Sequence, residues 1–91
     1  MKPALVLSDR DNVATALEAL EPGRSLELAG RSLVVAERIP SGHKVALHAI
    51  GAGEAVVKYG NPIGIAISAI APGQHVHVHN VASTRGRGDL A

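Results

Sequence analysis

The chain has 91 residues, 46% of them hydrophobic, with five histidines, one tyrosine, no other aromatic of the Phe/Trp type, no cysteine and a formal net charge of +1. That length suits one small domain with a thin, aliphatic core. The near-neutral balance gives no electrostatic case for nucleic acid or a membrane surface, and the lack of cysteine rules out a disulfide framework and suits the cytoplasm.

The amino-terminal stretch MKPALVLSDRDNV carries a short apolar run before charges intervene, which is not a signal-peptide pattern, and no apolar stretch in the chain is long enough to span a bilayer. A first strand is expected over residues 4–7. The next segment, DNVATALEAL at 11–20, is the ambiguous one. Val13, Ala16, Leu17 and Leu20 recur at helical spacing behind Asp11 or Asn12 as a cap, so local propensity predicts a helix.

Beyond it an internal echo sets the organisation. LEPGRSL (20–26), IPSGHKV (39–45), IGAGEAV (50–56) and IAPGQHV (70–76) share Leu or Ile, two residues, Gly, two residues, then Val or Leu. The glycine suits the left-handed position of a type II turn, and Pro directly before it in two copies presets the preceding φ. Each copy reads as a turn that launches a strand, which predicts strands at 26–36, 44–50, 55–58, 63–69 and 75–81. The uneven glycine spacing argues against a solenoid of fixed period. KYGNPIG (58–64) is a loop or hairpin bend. The chain thus reads as a compact, mostly β domain over 1–83, followed by a flexible tail, STRGRGDLA, whose last residues 84–91 lack apolar periodicity. The RGD tripeptide there is a coincidence in a cysteine-free chain without a secretion signal.

The histidines carry the chemistry. HVHVHN (75–80) puts three of them at alternate positions. In a continuous strand His75, His77 and His79 would share one face, with Val76 and Val78 turned to the core. Neighbours two apart can lean onto one metal ion, whereas His75 and His79 would be too far apart to share it. A solvated strand face is the plain alternative, but three histidines in register point to ligation, proton transfer or a contact with another chain. His43 and Lys44, after a turn glycine, could meet an anion. Lys58 and Tyr59 pair a cation with the sole phenol beside a bend. His48 reads as solvent-facing. The acids nearest these candidates are Asp9, Asp11 and Glu54, with no nucleophile motif, phosphate loop or carboxylate pair.

From about Asp11 to Asn80 the motifs DNV, IPSGHKVAL, GEAVVKYGNPIG and GQHVHVHN resemble the small SAF-type domain of the altronate/galactarate dehydratase family, which also includes (2R)-sulfolactate sulfo-lyase. The resemblance implies a β-clip fold, with DNVATAL extended rather than helical. It implies β-elimination from a small anionic 2,3-dihydroxy acid, or release of sulfite in the sulfo-lyase branch. A divalent metal, Fe2+ with Mn2+ or Mg2+ as alternatives, would act as Lewis acid. A chain of this size resembles the separate small subunit that acts with a large catalytic subunit, and homo-oligomerisation is compatible with it. Carried over by position, His75 and His77 are metal candidates, and His77 and His79 are catalytic candidates. His43, Lys44, Lys58, Tyr59 and Asn80 are candidates for substrate binding. Two readings compete: a non-catalytic SAF-type ligand-binding module, and a purely structural subunit with histidines at an interface.

Overall fold

The computed structural model describes residues 2–83, and the tail expected at 84–91 lies outside the described residues. Every regular element among them is a strand. In chain order these are β1 (Ala4–Leu5), β2 (Val13–Ala16), β3 (Ser25–Leu28), β4 (Arg31–Val34), β5 (Lys44–Ala46), β6 (Ala55–Lys58), β7 (Asn61–Ala66), β8 (His75–Val76) and β9 (Val81–Ser83). They form three antiparallel sheets ordered β1-β2-β5-β8, β3-β4 and β6-β7-β9.

Residues 13–16 are strand β2, as the family resemblance implies, and the helix that propensity favours does not form. Val13, Ala14 and Ala16 are buried while Leu17 is 51% exposed, so the helical stripe is not the stripe that the core takes up. The would-be cap residues are engaged elsewhere. The Asp11 carboxylate accepts hydrogen bonds from the Tyr59 and Gly60 backbone N–H groups, and the Asn12 carboxamide bridges the Ala55 carbonyl and the Val57 N–H. Tertiary partners thus override local preference.

The repeated turns form as their glycines require. Gly23, Gly42, Gly53 and Gly73 all have φ between 85° and 89°, and each turn closes with a bond from the following residue's N–H to a carbonyl three residues back. The apolar residue that heads each copy does more than the pattern predicts. Leu20 pairs with Ile39, and Ile50 with Ile70, through reciprocal backbone hydrogen bonds of 2.8 Å, and all four side chains are fully buried. The echo is therefore two copies of one unit. Gly23 and Gly53 are 30 residues apart and Gly42 and Gly73 are 31 apart, so alternate glycines are equivalent. In each copy a turn leads into a two-residue hairpin, at Ala29–Gly30 and at Tyr59–Gly60, with positive φ at both positions. The extra residue in the second copy is Ile63, which has no partner in a β-bulge between the pairs Val57↔Pro62 and Val56↔Gly64.

Two expected strands are corrected. Residues 26–36 are a hairpin rather than one strand, because Ala29 and Gly30 turn the chain between β3 and β4. Residues 75–81 are not one strand either. β8 ends at Val76, and residues 77–80 form a turn closed by a 3.1 Å bond from the Asn80 N–H to the His77 carbonyl. Val78, expected in the core, is 80% exposed at that turn, whereas Val76 is fully buried.

The core divides along the same two-copy line. One cluster gathers Leu20, Leu26, Leu28, Leu33, Val35 and Ile39 around Val45, and the other gathers Ile50, Val56, Ala66 and Ile70 around Val76. Val45 on β5 and Val76 on β8 hold equivalent places, so β5 and β8 pair side by side at the seam. That pairing positions the site.

Candidate functional site

His43 is the last residue before β5, His75 opens β8, and His77 follows β8. The register Val45↔His75 and Lys44↔Val76 lays these segments antiparallel and brings together residues 32 positions apart in the chain. The imidazoles of His43 and His77 stack with centroids 3.9 Å apart, and those of His43 and His75 are 5.0 Å apart. His43 Nδ1 lies 2.8 Å from His75 Nε2, a hydrogen bond between two rings. One ring nitrogen from each of His43, His75 and His77 lies within 4.8 Å of the other two, so the three donors can converge on one ion. Two of the alternating histidines thus join a third ligand candidate from another segment.

His79 departs from the strand expectation. The turn brings its ring to 5.0 Å from that of His75, centroid to centroid, although a continuous strand would have kept them far apart. His79 itself is exposed. His48 is exposed, as expected, and takes no part. It lies two residues beyond β5 rather than on a solvent-facing strand position, and Ala46 on the same alternation is buried.

The electrostatics favour the neutral form of His75 and His77. Burial pushes His75 below the ordinary histidine range, and His79, His43 and His77 add to that while Glu37 opposes it. His77 is lowered as well, first by loss of solvent, then by His43, Lys44 and His79. Burial and the neighbouring Lys58 ammonium also lower Lys44 from the usual lysine value. Neither Lys44 nor Lys58 forms an ion pair among the described residues, whereas Arg24 and Arg38 are paired with Glu18 and Glu21. Among the described residues Lys44, with Lys58 near it, therefore leaves an unneutralised positive spot beside His77, suited to an anionic oxygen.

A groove of about 230 Å³ opens at this spot, lined by Lys44, Ile63, His77, Val78, Val81 and Ser83. The bulge residue of the second copy thus forms part of its wall. Tyr59 is exposed at the neighbouring hairpin tip with φ of 59°, and the Lys58 ammonium sits 5.1 Å from its ring centroid. Asn80 is only 8% exposed, and its carboxamide is bonded to the His75 carbonyl and the His77 N–H.

Glu37 escapes any reading of the sequence. It sits in VVAERIP, outside every motif, yet its carboxylate accepts a 3.1 Å bond from the His75 N–H and is the acid that acts on the His75 ring. The acids near the candidates by sequence do other work. Asp11 clamps the Tyr59–Gly60 hairpin and Glu54 accepts from the Gly51 N–H in its own turn.

Comparison with known proteins places the chain. The chain is 42% identical over 80 residues to altronate dehydratase of Bacillus subtilis (strain 168), covering 88% of this chain and 16% of that protein. It is 44% identical over 70 residues to altronate dehydratase of Escherichia coli (strain K12), covering 77% of this chain and 14% of that protein. The (2R)-sulfolactate sulfo-lyase subunit alpha of Paracoccus pantotrophus is 49% identical over 47 residues, which is 52% of this chain and 70% of that subunit. The chain thus spans about a sixth of the length of the altronate dehydratases that it matches. The model of the altronate/galactarate dehydratase SAF domain matches residues 2–84, and this chain belongs to that family.

Proposed function

We propose that this chain is the small, SAF-type component of a lyase that dehydrates a sugar acid of the altronate or galactarate type, and that it works with a separate large catalytic subunit. The observation that carries the reading is the convergence of His43, His75 and His77, with His77 and Lys44 lining one groove. The relatives named altronate dehydratase supply the reaction class.

The donor set fits a divalent metal. Three imidazole nitrogens suit ferrous iron and other borderline ions and suit oxygen-seeking Mg2+ poorly, so Fe2+ is the better of the expected metals. When bound at His43, His75 and His77, such an ion supplies Lewis acidity for the negative charge that builds up beside the substrate carboxylate. The chain's own residues do the positioning. Lys44 at the groove, with Lys58 near it, offers a point charge to the carboxylate, while Ile63, Val78 and Val81 keep water from one side of the groove. We assign proton exchange with the departing hydroxyl to His79, which is exposed next to His75. In the overall step the C2 proton goes to a base, the 3-hydroxyl leaves as water, and the resulting enol tautomerises to the 2-keto-3-deoxy acid. The described residues hold no acid at the groove suited to take the C2 proton, and we assign that base to the large subunit.

A second reading has its own support. The chain aligns with 54% and 70% of two proteins named as alpha subunits of (2R)-sulfolactate sulfo-lyase, so release of sulfite from a sulfonated hydroxy acid by the same two-subunit arrangement is the alternative. One experiment covers both. The purified chain, loaded anaerobically with Fe2+, is assayed with altronate, galactarate and (2R)-sulfolactate, alone and after addition of a cognate large subunit. The expected result is bound iron but no turnover alone, and activity on one of these substrates in the complex. Robust turnover by this chain alone would overturn the two-subunit reading, and no retained iron would overturn the metal assignment.

A further inference from the structure

We propose that Asn80 is the positioning residue of the histidine cluster: its buried carboxamide stands in for a missing strand and holds His75 and His77 in the arrangement that accepts a metal. The inference rests on the metal reading given above and extends it to a residue that is not itself a ligand.

Pairing with β5 orders His75, but β8 stops at Val76 and His77 lies beyond the ladder. Something else must keep the His77 imidazole stacked 3.9 Å from that of His43. Asn80 does this from within the same turn. Its Oδ1 accepts a 2.9 Å bond from the His77 N–H, and its Nδ2 donates a 2.8 Å bond to the His75 carbonyl. A carbonyl at one residue and an N–H two residues on are the pair that a neighbouring antiparallel strand would engage. One side chain therefore supplies both ladder bonds along a peptide edge that no strand among the described residues covers. At 8% exposure the carboxamide is shielded from competing water. Glu37 secures the adjoining His75 N–H, so side chains fix three backbone groups of the two ligand-bearing residues.

The same device recurs away from the cluster. Asn12 donates to the Ala55 carbonyl at 2.9 Å and accepts from the Val57 N–H at 2.8 Å, and so bridges residues two apart on β6. There it braces a strand that bears no ligand. Asn12 is thus an internal control, with the same chemistry and the same backbone geometry but no imidazole to orient. Asn80, with its polar atoms turned to the backbone, acts on the metal through the histidines. This role differs from the direct substrate contact that position in the family motif suggests.

The test uses Co2+ as the metal probe, because its visible absorption reports imidazole coordination directly. Wild type, Asn80→Ala, Asn80→Leu and Asn12→Leu are titrated as the full chain, with far-UV circular dichroism and melting temperature recorded without metal. Both Asn80 variants should remain folded and show a Kd for Co2+ raised roughly 10- to 100-fold, the range for loss of an outer partner of metal-ligating histidines. Asn12→Leu should melt lower and leave the Kd within about twofold of wild type, because it touches no residue that orients a ligand. If Asn80→Ala does not fold, the volume-conserving Asn80→Leu decides. A folded Asn80→Leu with the wild-type Kd overturns the proposal. So does failure of both variants to fold even with saturating Co2+, since the carboxamide would then hold the domain rather than the cluster. Wild type that binds no Co2+ would instead overturn the metal reading itself, so the two failures are distinguishable.

Discussion

The two copies of the turn-and-hairpin unit share a backbone and differ in what they carry. In the first copy the turn and hairpin positions are solvated, with Arg24 and Glu18 paired across the surface and the small Ala29 at the hairpin tip. In the second copy the tip carries Tyr59 beside Lys58, a bulge adds Ile63, and the unit ends in His75 and His77. The first copy still contributes, because His43 follows its closing turn and meets the second copy's histidines across the β5–β8 pair. A duplicated scaffold supplies two similar frames, and the chemistry concentrates at the seam between them.

The equivalent glycines separate the copies most sharply. Gly42 and Gly73 both have φ of 85°, but a Cβ at Gly42 would meet nothing within 4 Å while one at Gly73 would collide with the Val34 carbonyl oxygen. Gly42→Ala should cost about 1–2 kcal/mol, the left-handed penalty alone. Gly73→Ala adds about 1–3 kcal/mol of overpacking, for a total of about 2–5 kcal/mol. Urea denaturation of both variants measures the gap, and equal losses would show that the second copy's turn is not the tighter one.

Next in size is the loss of a histidine. In the assembled enzyme His77→Ala should lower kcat/KM at least ~100-fold, with less bound metal and an unchanged fold, since Val76 rather than His77 fills the core. Steady-state kinetics, metal content and melting temperature on one preparation check it. Near-normal activity would make the run a solvated surface.

A smaller effect concerns the hairpins. Asp11 bonds the Tyr59 and Gly60 N–H groups, and the Ala29–Gly30 tip has no such side-chain clamp among the described residues. Asp11→Ala should cost about 1.5–3 kcal/mol, the usual value of hydrogen bonds to a charged group. The loss should appear as faster amide exchange at Tyr59 and Gly60 than at Ala29 and Gly30. Uniform exchange at both tips would count against the clamp.

The smallest effect is acid sensitivity of the metal-free domain. His75 and His77 have folded pKa values below the ordinary 6.5, so the unfolded chain binds more protons in that range. Their contribution is full above about pH 6.5 and is lost as pH falls through the folded values. The melting temperature should therefore drop between pH 7.5 and pH 5, and less in His77→Ala. The facing groups His43, His79 and Lys44 reinforce this direction and Glu37 opposes it, which keeps the slope shallow.

How much was legible in advance differs by element. The four turns were readable because Gly at a left-handed position is a local requirement that neighbours cannot replace. The KYGNPIG bend was readable for the same reason. The Ala29–Gly30 hairpin was not, because its flanks alternate Leu and polar residues without a break and Ala at positive φ is uncommon. The helical pattern at 11–20 misled because Asp11 and Asn12 serve as caps only when no distant backbone claims them, and here β6 and the Tyr59–Gly60 tip do.

For the site, the sequence by itself determined the residue types: five histidines with no cysteine, three of them in one short run, and a lysine behind a turn glycine. It also carried the family resemblance. Which histidines meet was decided only by the tertiary structure. Alternation predicts faces for a strand whose neighbour continues beside it, and β8 loses its ladder after Val76. The turn that replaces the ladder exposes Val78, gives His77 to the cluster and lets His43 arrive from 32 residues upstream. Glu37 joins for the same reason. Contacts between distant segments depend on sheet order and register, and no local spacing encodes either.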